Sequence, residues 1–135
     1  MTSIDQIITT YFKAWNALTR EEVGRFIDES CSPGIFYIDP KHTCRGAVEL
    51  ADRIYRGREV FPGFRVSVTS ALDGYDRTSR YTWDFEAPGY EGRLDGLDVV
   101  TQGPDGRITA LTSFFGNLQS IERGAPLRIQ ARWGT

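Results

Sequence analysis

Asp98, Asp39 and Tyr11 are the residues of this 135-residue chain whose types and surroundings could do chemistry. Asp98 interrupts the strand-like run Leu94 to Thr101 between Leu97 and Val99-Val100, where a sheet protein should be apolar. Burying an ionised carboxylate is costly unless it is paired, so such a group shifts its pKa upward and becomes a candidate proton donor. Asp39 closes a second apolar run, Phe36-Tyr37-Ile38-Asp39-Pro40, and Tyr11 lies on the apolar stripe of the first helical segment. Two acids and a phenol that all point inward could move a proton. Each also has a plainer use. Asp39 could accept backbone N–H groups ahead of Pro40, Asp98 could pair with an arginine such as Arg80, and Tyr11 could be core. His42, the only histidine, is either solvated in its polar loop or a proton relay beside Asp39.

The elements that must position these groups follow from periodicity. Ile4, Ile7, Ile8, Tyr11, Phe12, Trp15 and Leu18 recur at three and four residues and predict one wide helical face. Thr19 with Glu22 is a capping-box pattern opening a second helix that buries Val23, Phe26 and Ile27, and Cys31-Ser32-Pro33-Gly34 ends it. A short strand runs from Ile35 to Asp39. A third helix, Ala47 to about Arg58, buries Val48, Leu50, Ala51, Ile54 and Tyr55. After Phe61-Pro62-Gly63 the pattern alternates, predicting strands over Phe64 to Leu72, Arg80 to Glu86, Glu91 to Gln102 and Arg107 to Phe115, with turns at Asp73-Gly74, Pro88-Gly89 and 103–106. The expected fold is α+β: three N-terminal helices packed on a curved antiparallel sheet that encloses a cone-shaped cavity. Residues 1–135 form one domain, in which 117–135, with Arg123, Arg128, Arg132 and Trp133, is a tail or an extra edge strand.

Alternation also assigns faces. With Asp98 inward, so are Leu94, Gly96 and Val100; Tyr81, Trp83 and Phe85 face the core on the preceding strand, and Leu111, Ser113 and Phe115 share a face on the last. The interior is then aromatic with isolated polar groups, the composition of a small-ligand pocket. Trp15, Tyr37, Tyr55, Trp83, Phe85, Leu111, Ser113 and Phe115 are the expected substrate-binding residues.

Composition excludes several classes. A chain that is 40% hydrophobic and 25% charged has an adequate core for one domain, and a net charge of -2 gives no basic footprint for nucleic acid. No stretch approaches the ~18 apolar residues a membrane span needs, and the start carries no basic-then-apolar segment, so a soluble cytoplasmic protein is expected. Cys31 and Cys44 are too few for a disulfide framework, one histidine supplies no zinc-ligand spacing, and no Gly-rich phosphate loop or Gly-x-Ser-x-Gly elbow occurs. No metal and no cofactor is expected. The partner is a small apolar molecule.

Tyr11-Phe12-Lys13-Ala14-Trp15-Asn16, the Asp39-Pro40 pair, Gly46 ahead of the third helix, Asp98-Val99-Val100, Asp105-Gly106-Arg107-Ile108 and Phe114-Phe115-Gly116 together resemble the nuclear transport factor 2-like superfamily, in its SnoaL-like polyketide cyclase and ketosteroid isomerase branch. The resemblance runs from Ile4 to Gly116 and implies a cone-shaped fold, a homodimer and one apolar pocket per subunit. It implies Asp39 as general base, with Tyr11 and Asp98, the latter protonated, as oxyanion donors. The implied activity is cofactor-independent proton transfer, by an isomerase, cyclase or dehydratase, on a small apolar carbonyl compound. A binding or association module of the same fold is the alternative. The Lys41-His42-Thr43-Cys44-Arg45 segment departs from the isomerase, and its cations would hold Asp39 ionised and weaken it as a base. Arg93-Leu94-Asp95 is similar to the Arg-x-Asp element of the limonene epoxide hydrolases, a reading that needs a bulge because alternation sets it opposite Asp98. The dimer is expected through the outer sheet face, with Val66, Val68, Val99 and Thr112 contributing.

Overall fold

The computed structural model describes residues 3–130. Helix α1 spans Ile4–Asn16 and buries Ile7, Ile8, Tyr11, Phe12 and Ala14 on the expected stripe. It stops two residues before Leu18, which is left exposed. Thr19 caps α2 (Arg20–Ser30) by accepting the Glu22 backbone N–H at 3.1 Å, and Val23 and Ile27 are buried. The chain passes directly from α2 into β1 (Cys31–Ile38), then β2 (Thr43–Arg45), α3 (Ala47–Val60), β3 (Arg65–Val68), β4 (Asp73–Tyr75), β5 (Thr78–Glu86), β6 (Leu94–Gln102) and β7 (Ile108–Phe115). One sheet carries the order β2-β1-β7-β6-β5-β3, with β4 also on β5.

The fold is α+β, with three helices packed on a curved sheet, and several expectations are corrected. The sheet is mixed rather than antiparallel, because β1 runs parallel to β7. The helices do not all precede the strands, since β1 and β2 come before α3. The Cys31-Ser32-Pro33-Gly34 run ends α2 as expected, but it is not a loop, because β1 starts at Cys31 rather than at Ile35. The run lies in an irregular stretch of β1 where the register on β7 slips between Cys31 and Phe36, which accommodates a proline that has no N–H to give. Finally, Asp73-Gly74 is strand, and the hairpin turns three residues later at Asp76-Arg77, whose φ values of 47° and 64° are the left-handed pair a two-residue hairpin loop requires. Val48, expected in the core, is 85% exposed, because α3 turns Ala47, Leu50 and Ile54 inward and leaves position 48 on the far side. Residues 117–130 form neither helix nor strand. The part of the expected tail that includes Arg132 and Trp133 lies outside the described residues.

The strand faces are as alternation demands. Ile35 and Tyr37 of β1, Leu111 and Ser113 of β7, Gly96, Asp98 and Val100 of β6, and Tyr81 and Trp83 of β5 are all buried against the helices. Val66 and Val68 pair with Phe85 and Trp83, so they share this inner face and are not on the outer one. Val99 and Thr112, paired with each other, are on the outer face.

Candidate functional site

Between the helices and the inner sheet face lies a cavity of about 940 Å³. Tyr11, Trp83, Asp98 and Ser113, all buried, line its inner end. Phe12, Trp15, Phe64, Val66, Phe85 and Phe115 form apolar walls, and exposed Lys41, His42, Thr43 and Glu49 line the outer end. An aromatic cluster holds the wall: Phe64 and Phe85 lie 5.4 Å apart, and Phe61 and Tyr90 pack edge-on to Phe85 and to each other. Such a cavity suits a mostly apolar ligand oriented by a few polar atoms.

Asp98 is positioned by the sheet itself. Its neighbours across the two ladders are Tyr81 on β5 and Ser113 on β7. The Tyr81 hydroxyl donates to Oδ2 at 2.7 Å, the Trp83 indole N–H donates to Oδ1 at 2.9 Å, and Ser113 adds a third side-chain hydrogen bond. Burial raises the Asp98 pKa, the three hydrogen bonds hold it down, nearby Asp39 raises it further, and the net result is about 6. Three donors occupy three of roughly four lone-pair positions on a carboxylate, which leaves one for a proton. Arg80 does not pair with Asp98; it bonds exposed Asp73 at 2.8 Å.

Tyr11 reaches the same end of the cavity from α1. Burial first, and then the charge of Asp98, push its phenol well above the usual range, with a hydrogen bond from Trp15 and the charge of Arg53 pulling the other way. It is a neutral O–H donor across the physiological range. Tyr37, also a cavity residue, is pushed up by burial and by its neighbours Tyr11 and Asp39.

Asp39 is held differently. Its carboxylate is shut off from solvent and is not among the groups that line the cavity. Oδ2 takes the Tyr37 hydroxyl at 2.6 Å and Arg53 Nη2 at 3.4 Å, while Oδ1 takes the backbone N–H groups of Lys41 and His42, both at 2.8 Å. His42 Nδ1 lies 3.4 Å from Oδ1. Burial acts to raise this carboxyl, but the hydrogen bonds and the charges of Arg53 and His42 outweigh it, and the pKa is lowered. With its lone-pair positions filled by donors, Asp39 organises the turn after β1 and ties it to α3.

Tyr11, Asp98, Trp15, Tyr37, Trp83, Phe85, Ser113 and Phe115 therefore meet at one cavity. Tyr55 and Leu111 do not line it: Tyr55 is half-buried beneath the Arg20 guanidinium at 4.5 Å, and Leu111 is core. Arg93 and Asp95 are not at the cavity either, because β6 pairs regularly with β5 from Leu94 to Thr101 and no bulge reverses its faces. Among the cavity residues that sequence reasoning missed, Arg53 is the buried cation. Its position in α3, three after Leu50 and four before Gly57, places a charge on the inward stripe, and that was the available signal. Among the described residues no three His, Cys, Asp or Glu side chains cluster as a metal site would, and no helix is long and apolar enough to cross a membrane.

No family model and no curated protein matches the sequence. Solved structures do. The chain is similar to a candidate isomerase of the SnoaL-like family from Agrobacterium tumefaciens str. C58, at 28% identity and a TM-score of 0.78 over 87% of this chain and 100% of that one. It is similar in fold to an NTF2-like protein of unknown function from Exiguobacterium sp. 255-15, at 15% identity and a TM-score of 0.69 over 83% and 99% of the two chains. A candidate polyketide cyclase from Sinorhizobium meliloti shares the fold at 15% identity and a TM-score of 0.66, over 84% and 99%.

Proposed function

This chain belongs to the nuclear transport factor 2-like superfamily, with a SnoaL-like relative among its structural neighbours, and on that premise we propose that it is a cofactor-independent acid-base enzyme, an isomerase or cyclase of a small, mainly apolar carbonyl compound. One observation carries the reading: a carboxyl group with a pKa of about 6 and one unfilled lone-pair position borders an apolar cavity beside a neutral phenol. A base is most effective when its pKa lies near the working pH. Asp98 is therefore the base in this account, and Asp39, saturated by donors and outside the cavity lining, is a positioning residue.

The chemistry follows from the placement. The Asp98 carboxylate takes a proton from a carbon next to the substrate carbonyl, and the electron pair moves onto the carbonyl oxygen, where the Tyr11 O–H stabilises the enolate. Where the substrate has a carbon–carbon double bond β,γ to the carbonyl, the electron pair spreads over a dienolate and Asp98 returns the proton to the γ-carbon, so the double bond moves into conjugation and the isomerisation is complete. In a cyclisation the enolate carbon instead attacks a second carbonyl of the same molecule, and Asp98 protonates the new alkoxide. Apolar walls exclude water from the intermediate.

The test is a turnover screen of enones, diketones and hydroxyketones with the parent and two variants. Asp98→Asn is expected to lower turnover by roughly 10²- to 10⁴-fold, and kcat/KM of the parent should rise with pH through an apparent pKa of about 6. Compounds that bind tightly yet are never turned over would leave a binding module and defeat the enzyme reading.

A further inference from the structure

Arg53 has a role in the fold that its partners do not explain. Its side chain is only 20% exposed, and its Nε is buried without a hydrogen-bond partner among the described residues. The guanidinium stands over the Trp15 ring at 5.2 Å and lines the cavity. Among the described residues the carboxylate within 4 Å of it is Asp39, 3.4 Å from Nη2, longer than the ~2.7–2.9 Å of a strong charged hydrogen bond. Asp39 does not need it, because Tyr37 and two backbone N–H groups already serve that carboxylate at 2.6 and 2.8 Å. The other cavity arginine, Arg56, is committed to Asp52 at 2.7 Å. Burying an under-satisfied guanidinium in an aromatic wall costs stability, and such a cost persists where a ligand relieves it.

We propose that Arg53 receives a carboxylate of the ligand, so that the substrate class is an apolar carbonyl compound bearing an acid group, an oxo acid rather than a neutral ketone. This rests on the reading of the cavity as the substrate site. Tyr11 lies within electrostatic reach of both Asp98 and Arg53, so one molecule can set its carbonyl against Tyr11 and its carboxylate against Arg53. A guanidinium packed on Trp15 can meet a carboxylate with two N–H groups at once, which a lysine would not do.

The experiment is calorimetric titration of the parent protein with 2-naphthoate and 2-naphthamide, which share a ring system and differ in charge. The acid is expected to bind at least about tenfold more tightly, as one charge-assisted contact allows. Arg53→Gln should bring the acid down to the level of the amide while leaving the amide within about twofold, and Arg53→Lys should keep part of the preference. Equal binding of acid and amide by the parent overturns the proposal and leaves the cavity reading standing. So does an undiminished preference in folded Arg53→Gln. Failure of both probes to bind overturns the cavity reading and this proposal with it. The comparison in the parent decides the matter even where a variant does not fold.

Discussion

Asp39 and Asp98 are both buried carboxylates, and their surroundings drive them in opposite directions. Asp98, raised from 3.8 to about 6, stabilises the fold fully below its unfolded value, and that stability is lost as pH rises through 6, on the order of 3 kcal/mol for about two pH units. Asp39, lowered, contributes stability above 3.8 that is lost as pH falls through its folded value. Urea unfolding at pH 4.5 and 7.5 should therefore show the parent losing stability toward the higher pH, with Asp98→Asn flattening that change. A parent whose stability climbs steadily over this range, unchanged by Asp98→Asn, contradicts the assignment. Tyr11→Phe removes the oxyanion donor and should cost roughly 10²- to 10³-fold in kcat, read with whichever substrate the screen provides. Asp98 was legible in the sequence because strand alternation and apolar neighbours force it inward. The lowered state of Asp39 was legible in part, from the backbone donors and cations that follow Pro40; its partner Arg53 was not, since it arrives from a helix whose docking has no local signal.

The arrangement around Asp98 depends on Gly96. It faces Trp83 across the ladder, and a Cβ there would run into the Trp83 ring and the Phe114 carbonyl. Only glycine leaves room for the indole to pass this close to β6 and donate its N–H to Asp98. Gly96→Ala should destabilise the protein by about 2 kcal/mol or more and shift the Trp83 indole N–H resonance; a variant with parent-like stability and an unmoved resonance would show that the indole has room to spare. The turn at Asp76-Arg77 makes the opposite case. Both residues hold positive φ, so Arg77→Gly should raise stability by roughly 0.5 kcal/mol, a gain that thermal unfolding can measure. Helices α1 to α3 and the β5-β6-β7 meander were readable from period and turn residues. The parallel pairing of β1 with β7 was not, because strands that far apart in sequence share no turn that could declare their direction. The hairpin turn was misplaced because Asp73-Gly74 is the commoner turn pair, whereas Asp76-Arg77 does the turning.

Across the whole molecule the helices cover one face of the sheet and leave the other open, charged along β5 and apolar along β1, β7 and β6. Leu97 and Phe114 are cross-strand neighbours there, beside Val99 and Thr112, with Phe36 on β1, and Phe114 is 55% exposed. We propose a homodimer through this face, whose members were only half anticipated, since Val66 and Val68 turn inward. Phe114→Lys should convert a dimer seen by sedimentation at micromolar concentration to a 15.2 kDa monomer; a parent that is already monomeric contradicts it. Dimerisation, the meander and the aromatic walls all serve one end in this account, a dry cavity in which Asp98 moves a proton beside a carbonyl. The most direct test needs no knowledge of the natural reaction: incubation of the protein in D₂O with a panel of small apolar ketones and oxo acids, with proton NMR following deuterium entry at the carbon next to the carbonyl. The parent should exchange at least one of them well above the buffer rate, Asp39→Asn should retain much of that exchange, and Asp98→Asn should lose it. Exchange in Asp98→Asn as fast as in the parent, or no exchange above buffer for any compound that binds, would contradict the account.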